Sequence, residues 1–246
     1  MDLNQIKDII NNFAKDEKIF TNEQDFQFEL ASALLNYCDV EEVKLEALSV
    51  GENWEAIQKN VEEKKKMPRV QKEYTDLIVR EKNGDNFAIE LKYKMPYNVC
   101  FYETSKEKIV TMVQGAYDHG CYYFIKDIER LEHINSRHFT NGMKIKKSFA
   151  ILLTNDHNYW DNDFSLSKIW ANYSLHEKRK VLPKVLLKFG NETSIKSGRT
   201  TFEAIKLNNE HQIKWEEYPL PKNITSESKR NNTKPKFKYL IVEVDG

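Results

Sequence analysis

The chain has 246 residues, of which 12% are aromatic and 31% charged, and 38 Lys and Arg residues balance 38 Asp and Glu residues. The aromatic content excludes a disordered chain, and the counts of 8 Gly and 6 Pro exclude collagen-like and low-complexity sequences. Zero net charge excludes a histone-like polycation, but nucleic-acid binding stays open because only the binding face has to be basic.

The length predicts one or two domains, and since no repeat or composition boundary is visible, we expect one domain over residues 1–246.

No apolar run approaches the length of a transmembrane helix, so no membrane partner is expected. The start of the chain lacks the basic residues and apolar run of a signal peptide. The 3 cysteines, odd in number and without metal-like spacing, are typical of reduced thiols. The expected location is therefore the cytoplasm.

Helical and strand patterns alternate along the first part of the chain. Hydrophobic spacing and a capping-box pattern at Thr21 to Gln24 predict two helices, over residues 2–16 and 24–37. Residues 54–66 fit either a short helix or a solvated loop. Three segments have the composition of β-strands, and they are residues 43–50, 74–80 and 87–94. Asn83-Gly84 between the last two is a strong hairpin signal.

The second part of the chain begins with another capping-box pattern, Thr104 to Glu107, which predicts a helix over 105–132 that His119-Gly120 can interrupt. A buried strand is predicted over 148–154. Three later segments have strand character, and they are Val185–Phe189, Ile213–Tyr218 and Phe237–Val244. Residues 221–236, rich in Ser, Asn, Lys and Pro, are predicted to form a loop.

Two acids and a lysine stand inside segments that are otherwise core-like. Asp76 lies in the strand sequence TDLIV, and the next strand contains Glu90 and Lys92, which share one face because they are two residues apart. Since burying an unpaired charge is costly, these residues require partners. The structural alternative is an ion pair of Lys92 with Glu90 or Asp76 on an exposed sheet face.

The functional alternative is a magnesium site. Carboxylate oxygens are the protein ligands that Mg²⁺ prefers, with water and phosphate oxygens completing its shell. A neighbouring lysine can orient or deprotonate an attacking water, and its charge meets the charge that grows on the phosphate. Phosphodiester cleavage requires these parts.

The length of the hairpin loop decides whether the three residues meet. A two-residue turn at Asn83-Gly84 places Asp76 opposite Leu91, on the other sheet face from Glu90 and Lys92. A three-residue loop, Asn83-Gly84-Asp85, places Asp76 opposite Lys92 and all three side chains on one face. The magnesium site therefore demands an odd-length loop or a bulge. Glu46 can project towards the same face, the alternative being a strand-edge carboxylate.

The sequence resembles the PD-(D/E)XK, or restriction-endonuclease-like, nucleases. Their pattern has an acid on one strand and acid-x-Lys on the next strand, and a preceding helix that supplies a glutamate. The matching residues are Glu29, Asp76 and Glu90-Leu91-Lys92, and Thr75 stands where the family usually has Pro. The order of predicted elements is similar to the family's αβββαβ core over about residues 20–160. The resemblance implies an α/β fold with a mixed central sheet flanked by helices, and extra C-terminal strands in residues 161–246.

The resemblance also implies a function, namely a metal-dependent, bacterial DNA endonuclease of defence or DNA processing. In that function Asp76 and Glu90 bind Mg²⁺, for which Mn²⁺ can substitute, Lys92 positions or activates water, and Glu29 supports the metal through a water. Two alternatives remain open. One is a nuclease-fold protein that binds nucleic acid or a protein partner without cutting, and the other is an interaction domain in which the acid-x-Lys triplet is accidental.

Four more residues are candidates for supporting roles. Gln114 is similar to a glutamine that some exonuclease-like branches place beside the site, the alternative being an ordinary exposed helix residue. Lys126 and Arg130 either contact phosphate or form ion pairs on the helix surface. Lys94, together with Lys106 and Lys108, is expected to line a basic DNA rim from which acids are segregated. A homodimer would allow a double-strand cut, although no sequence feature marks an interface.

Overall fold

The computed structural model describes most of the chain, namely residues 1–37, 39–50, 72–95, 100–111, 116–139, 142–161, 167, 169–221, 224–228 and 236–245. Three α-helices lie in these ranges, and they are α1 (Leu3–Lys15), α2 (Glu23–Leu35) and α3 (Tyr117–Glu132). Three short 3-10 helices cover Ile134–Ser136, His157–Tyr159 and Ala171–Tyr173. No helix within these ranges is long and apolar enough to span a membrane.

The same ranges contain sixteen strands, many of them short. In chain order they are β1 (Val40–Val50), β2 (Lys72–Glu81), β3 (Asn86–Lys94), β4 (Cys100–Glu103), β5 (Lys108–Thr111), β6 (His138–Phe139), β7 (Ile145–Thr154), β8 (Lys180–Val181), β9 (Leu186–Leu187), β10 (Ser194–Ser197), β11 (Thr200–Glu203), β12 (Ile205–Lys206), β13 (His211–Gln212), β14 (Trp215–Tyr218), β15 (Thr225–Ser228) and β16 (Phe237–Asp245).

Seven strands form a mixed central sheet in the order β14-β16-β7-β3-β2-β1-β6. Strands β3 and β7 run parallel, and the other neighbours in this sheet pair antiparallel. Strands β15, β4 and β5 form a separate three-stranded sheet, and β8 to β13 form three two-stranded pairs. The helices flank the central sheet, so the predicted α/β class with a mixed sheet and added C-terminal strands is confirmed at this level.

The central sheet separates two hydrophobic cores, because successive side chains of a strand point to opposite faces. Leu77, Ile89 and Leu91 belong to the core that includes α1 and α2. Ile78 and Ala88 belong to the core that includes α3 and the C-terminal strands. Since both faces are covered, β3 and β7 are nearly continuous buried runs. The face of β3 that meets α3 is also the face that carries Glu90 and Lys92.

The helix predicted over 105–132 is wrong in its first part. Residues Lys108–Thr111 form β5, which pairs with β4. The Thr104 hydroxyl accepts the N–H groups of Lys106 and Glu107, so it closes a hairpin turn rather than capping a helix. Helix α3 begins at Tyr117 and continues through Gly120 without interruption. A Cβ at Gly120 would overlap the Tyr159 hydroxyl, so this glycine permits the close packing of α3.

The C-terminal segment joins the central sheet more fully than predicted. Strand β16 pairs with β7 from Lys238↔Thr154 to Asp245↔Lys147, along nearly the whole of β7. The loop predicted over 221–236 is wrong in part, because Thr225–Ser228 pairs with β4. The strand predicted over Val185–Phe189 is reduced to Leu186–Leu187.

The hairpin between β2 and β3 has the odd-length loop that the candidate site demands. Glu81 N–H donates to the Asp85 carbonyl at 2.9 Å, which leaves Lys82, Asn83 and Gly84 as the loop. Gly84 has φ +90°, a left-handed conformation that glycine adopts without a steric penalty. The loop lies one residue earlier than predicted. The register Leu77↔Ile89, continued by one residue, therefore places Asp76 opposite Glu90 rather than opposite Lys92, on the same face.

Candidate active site

The candidate site lies where β2 and β3 separate. Their backbone pairing extends to Leu77↔Ile89. Beyond that point a carboxylate oxygen of Asp76 accepts the N–H of Leu91 at 2.6 Å, and Glu23 of α2 accepts the N–H of Tyr93 at 3.1 Å. Two acidic side chains thus take the place of a neighbouring strand. This arrangement fixes both carboxylates beside the segment of β3 that carries Glu90 and Lys92.

Glu90 and Lys92 point from β3 towards α3, where each meets an opposite charge. Glu90 is only 3% exposed, and its Oε1 lies 3.1 Å from Nη2 of Arg130. The Lys92 Nζ lies 2.9 Å from Oδ2 of Asp127 and 3.8 Å from Oε1 of Glu23. It also donates a hydrogen bond of 2.9 Å to the Leu91 carbonyl. Both residues are therefore enclosed by side chains of this chain.

Arg130 joins several acids of the site through its planar guanidinium group. Its Nη1 lies 3.1 Å from Oδ1 of Asp127, and its Nε lies 3.1 Å from Oε2 of Glu73. Arg137 pairs with the same Glu73 carboxylate. With Glu90 bound at Nη2, the guanidinium contacts three carboxylates. Its donors are thus directed at protein groups.

Burial and crowding of like charges raise the pKa values of the two sheet carboxylates. Burial is the largest cause of the shift of the Asp76 pKa to about 6, although Lys92 and the Leu91 N–H work against it. The pKa of Glu90 is raised well above its usual range by burial and then by the charges of Asp127 and Asp76, with Arg130 opposing. A further positive charge in the site would lower both pKa values.

The Lys92 side chain is an ammonium ion at neutral pH. Burial disfavours its charge, but the carboxylates of Asp127, Glu23 and Asp76 outweigh burial and raise its pKa above the usual lysine value. In this arrangement Lys92 can orient a water molecule and stabilise negative charge. It cannot remove a proton from water until it has lost its own.

The site offers the type of ligand group that magnesium prefers, namely carboxylate oxygens. Asp76 and Glu90 supply two carboxylates, the number that Mg²⁺ commonly takes from a protein. Over the part of the chain that the structure describes, no three His, Cys, Asp or Glu side chains meet as a metal-binding group. Water and substrate oxygens would have to complete the shell.

The predicted position of Glu29 is wrong. Its carboxylate pairs with Lys18, while Gln27 occupies the face of α2 that meets the sheet. Glu29 lies two residues, or about 200°, further round the helix than Gln27. Gln27 donates to the backbone carbonyl of Asp76 at 2.7 Å and to Oε1 of Glu46 at 3.1 Å. Glu23, one turn before Gln27, is the helix glutamate that reaches the site.

The predicted basic rim does not form as expected. Lys94 pairs with Glu23 at 3.5 Å, and Lys108 pairs with Glu103 at 3.4 Å. The Lys106 ammonium donates to the Asp16 carbonyl at 2.9 Å. Lys126 forms an ion pair with Glu129, which is the alternative of a pair on the helix surface. Arg130 forms ion pairs with Glu73, Glu90 and Asp127. The positive charges are therefore not segregated from acids at these positions.

Two predictions lie outside the described residues. They concern Gln114 beside the site and the short helix or loop over 54–66. Trp160, Trp170 and Trp215 are buried in the core that includes α3.

Sequence reasoning missed Glu23 and Asp127. Glu23 stands in the first turn of α2, where an acid is explained by the helix dipole alone. Asp127 has neighbours that suggest surface ion pairs, yet it is 4% exposed. Its spacing from Phe124, Ile128 and Leu131, which are all buried, is the one sequence signal that could have placed it on the inner helix face.

The comparisons give no independent assignment. A scan against protein-family models finds no match, and searches of curated proteins and of solved structures find none either.

The raised pKa of Asp76 predicts a pH-dependent stability. An unfolded Asp titrates near pH 4, whereas folded Asp76 titrates at about 6. The folded state binds the proton more tightly, so the ionisation of Asp76 lowers stability as the pH rises from about 4 to about 6. We expect the Asp76→Asn variant to match the wild type in Tm near pH 4 and to exceed it at pH 7, in thermal unfolding followed by circular dichroism.

Asp85→Asn is the matched control, because Asp85 is a surface acid of the same hairpin that pairs with Lys146 at 2.6 Å. A Tm difference between Asp76→Asn and the wild type that stays constant over this pH range would contradict the prediction.

Proposed function

We propose that the chain is a metal-dependent deoxyribonuclease that hydrolyses phosphodiester bonds. The observation that carries the proposal is the convergence of Asp76, Glu90 and Lys92 on one face of two adjacent strands. The hairpin register places Asp76 opposite Glu90, and the charges of Asp76 and Lys92 both act on the Glu90 carboxylate. A buried acid, Glu90, and a partly buried acid, Asp76, held beside the partly buried ammonium of Lys92 form an arrangement suited to phosphoryl chemistry.

The order of elements also supports a restriction-endonuclease-like core. Helix α2 is followed by β1, β2 and β3; α3 comes next after the short strands β4 and β5, and β7 follows α3 after the short β6. The sheet order β7-β3-β2-β1, with β3 and β7 parallel, is compatible with an αβββαβ core. In this assignment the acid-x-Lys triplet lies on the third core strand, and Asp76 lies on the second.

In the proposed reaction Asp76 and Glu90 would hold Mg²⁺, with Mn²⁺ as a substitute. The bound ion would supply Lewis acidity towards the phosphate and the attacking water. Lys92 would orient that water and stabilise the charge that develops on the phosphate oxygens, since its high pKa keeps it positively charged. Glu23 would limit the movement of Lys92 and, through the Tyr93 N–H, of β3 itself.

A second candidate function is a nuclease-fold protein that binds nucleic acid or a protein partner without cutting. The observation in its favour is that Glu90, Lys92 and Arg130 already have partners within the chain. An ion-pair network of this kind can be purely structural. The mixed charges around Lys94 and Lys108 favour a protein partner over DNA within this alternative.

Cleavage of supercoiled plasmid DNA separates these functions. We expect nicked and linear products with Mg²⁺ or Mn²⁺ and none with EDTA. Glu90→Gln, purified in parallel, controls for a contaminating nuclease. Absence of cleavage of plasmid, single-stranded DNA and RNA with either metal would contradict the nuclease proposal. Salt-sensitive DNA binding without cleavage would then favour the binding protein, because phosphate contacts weaken with salt.

A further inference from the structure

One turn of α3 contacts both functional residues of β3. Asp127 and Arg130 are three residues apart on the helix, so they lie on the same face. Asp127 Oδ2 lies 2.9 Å from Lys92 Nζ, and its Oδ1 lies 3.1 Å from Nη1 of Arg130. Arg130 in turn contacts Glu90. The result is a continuous chain of charges from Lys92 through α3 to Glu90.

The position of Asp127 is an unusual one for a carboxylate. It is 4% exposed on a helix face that also carries the buried apolar residues Phe124, Ile128 and Leu131. A buried acid costs free energy unless it is paired, and an apolar residue would pack there more cheaply. Asp127 therefore needs an explanation beyond the packing of α3.

The ammonium group of Lys92 requires a fixed partner if it is to stay in one position in the site. A lysine side chain is a point charge on a flexible four-carbon stem. Its two other contacts are the Leu91 carbonyl of its own strand and Glu23 at 3.8 Å. The Leu91 carbonyl is adjacent in sequence, and the Glu23 carboxylate is shared with Lys94 and with the Tyr93 N–H. Asp127 is the closest carboxylate, and Arg130 fixes its second oxygen.

We propose that Asp127 is the positioning residue for Lys92, and that Arg130 orients Asp127 for this task. The proposal rests on the proposed function, since phosphodiester cleavage is the reaction for which Lys92 is positioned. Asp127 forms its ion pairs with Lys92 and Arg130, and in this proposal it acts on the reaction through the ammonium of Lys92. Its removal should therefore affect the chemical step and leave DNA affinity unchanged.

The kinetic test is Asp127→Asn, which keeps the shape of the side chain and removes its charge. We expect kcat for plasmid cleavage to fall about 10- to 100-fold, the range typical of residues that orient a functional group. The KM for DNA should stay within about twofold. Glu243→Gln is the control, because Glu243 pairs with Lys147 at 2.8 Å between β7 and β16, away from the site. An unchanged kcat in Asp127→Asn would overturn the proposal.

A second measurement does not depend on activity. In the wild type with ¹⁵N-labelled lysine, we expect a resolved ammonium signal from Lys92 in the ¹H–¹⁵N correlation spectrum, because an ordered ion pair slows proton exchange. The signal should disappear in Asp127→Asn and persist in Glu243→Gln, while circular dichroism shows all three proteins folded. A Lys92 signal unchanged in Asp127→Asn would overturn the proposal. If the wild type fails to cleave, the proposed function fails, and this spectrum alone decides whether Asp127 holds Lys92.

Discussion

Replacing Glu90 with glutamine is expected to abolish metal-dependent cleavage, with a loss of at least about 1,000-fold, or roughly 4 kcal/mol of transition-state stabilisation. The physical reason is the loss of one of the two carboxylates available to the metal. The fold should survive, because the glutamine can still accept a hydrogen bond from Arg130, and the repulsion from Asp76 and Asp127 disappears. The measurements are plasmid cleavage with Mg²⁺ and thermal unfolding of the same preparation.

Two further variants give this prediction its controls. Lys92→Met should also lose cleavage, since the ammonium group that helps to stabilise the charge on the phosphate is then absent. Glu243→Gln, which removes a carboxylate remote from the site, should cleave at the wild-type rate. Wild-type cleavage by Glu90→Gln would remove Glu90 from the catalytic set. Unfolding of both Glu90→Gln and Lys92→Met would instead support a structural ion-pair network.

Replacing Arg130 with methionine is expected to lower the free energy of unfolding by about 3 to 5 kcal/mol, the range for breaking a buried ion pair from one side. Glu90, Asp127 and Glu73 would each lose the same partner, and the first two are buried. For a chain of this length the loss corresponds to a fall in Tm of roughly 6 to 20 °C. Urea unfolding followed by circular dichroism measures it.

The matched control is Arg80→Met. Arg80 pairs with Glu41 at 3.5 Å, but both side chains are about half exposed, so the pair should contribute less than about 1 kcal/mol. Adding Glu90→Gln to Arg130→Met should recover part of the lost stability, because it removes one of the buried carboxylate charges that Arg130→Met leaves without its partner. Equal destabilisation by Arg80→Met and Arg130→Met would contradict the role given to Arg130.

The central part of the fold could be predicted from the sequence because its signals are local. The strands around Asp76 and Glu90 have β-branched, buried patterns, and Asn83-Gly84 marks their hairpin. The site requires a hairpin loop with an odd number of residues, and the loop in the structure has three. The register matches neither of the two considered from the sequence, because Asp76 lies opposite Glu90 rather than opposite Leu91 or Lys92. The sequence leaves the position of the loop open. The hydrogen bond from the Glu81 N–H to the Asp85 carbonyl fixes it in the structure.

Residues brought together by tertiary packing were harder to predict. On a helical wheel Glu29 lies at one of the two edges of the apolar face of α2. Only the packing of α2 on the sheet determines which of these edges faces the site. Asp127 has a sequence context of surface ion pairs, and its burial follows from the packing of α3 against β3 and β7. The Thr104 pattern failed because a side chain that accepts backbone N–H groups serves a turn as well as a helix.

The position of β16 has a consequence for how the chain assembles during synthesis. Strand β7 is a buried, largely apolar strand that needs β16 on one side, and β16 follows it by about 90 residues. At about 5 to 20 residues per second, a ribosome takes roughly 5 to 18 s to deliver that partner. During this interval one edge of β7 has no native neighbour and can pair with another nascent chain. Slower translation between Thr154 and Phe237 should therefore increase aggregation of newly made protein, whereas the stability of molecules already folded should not change.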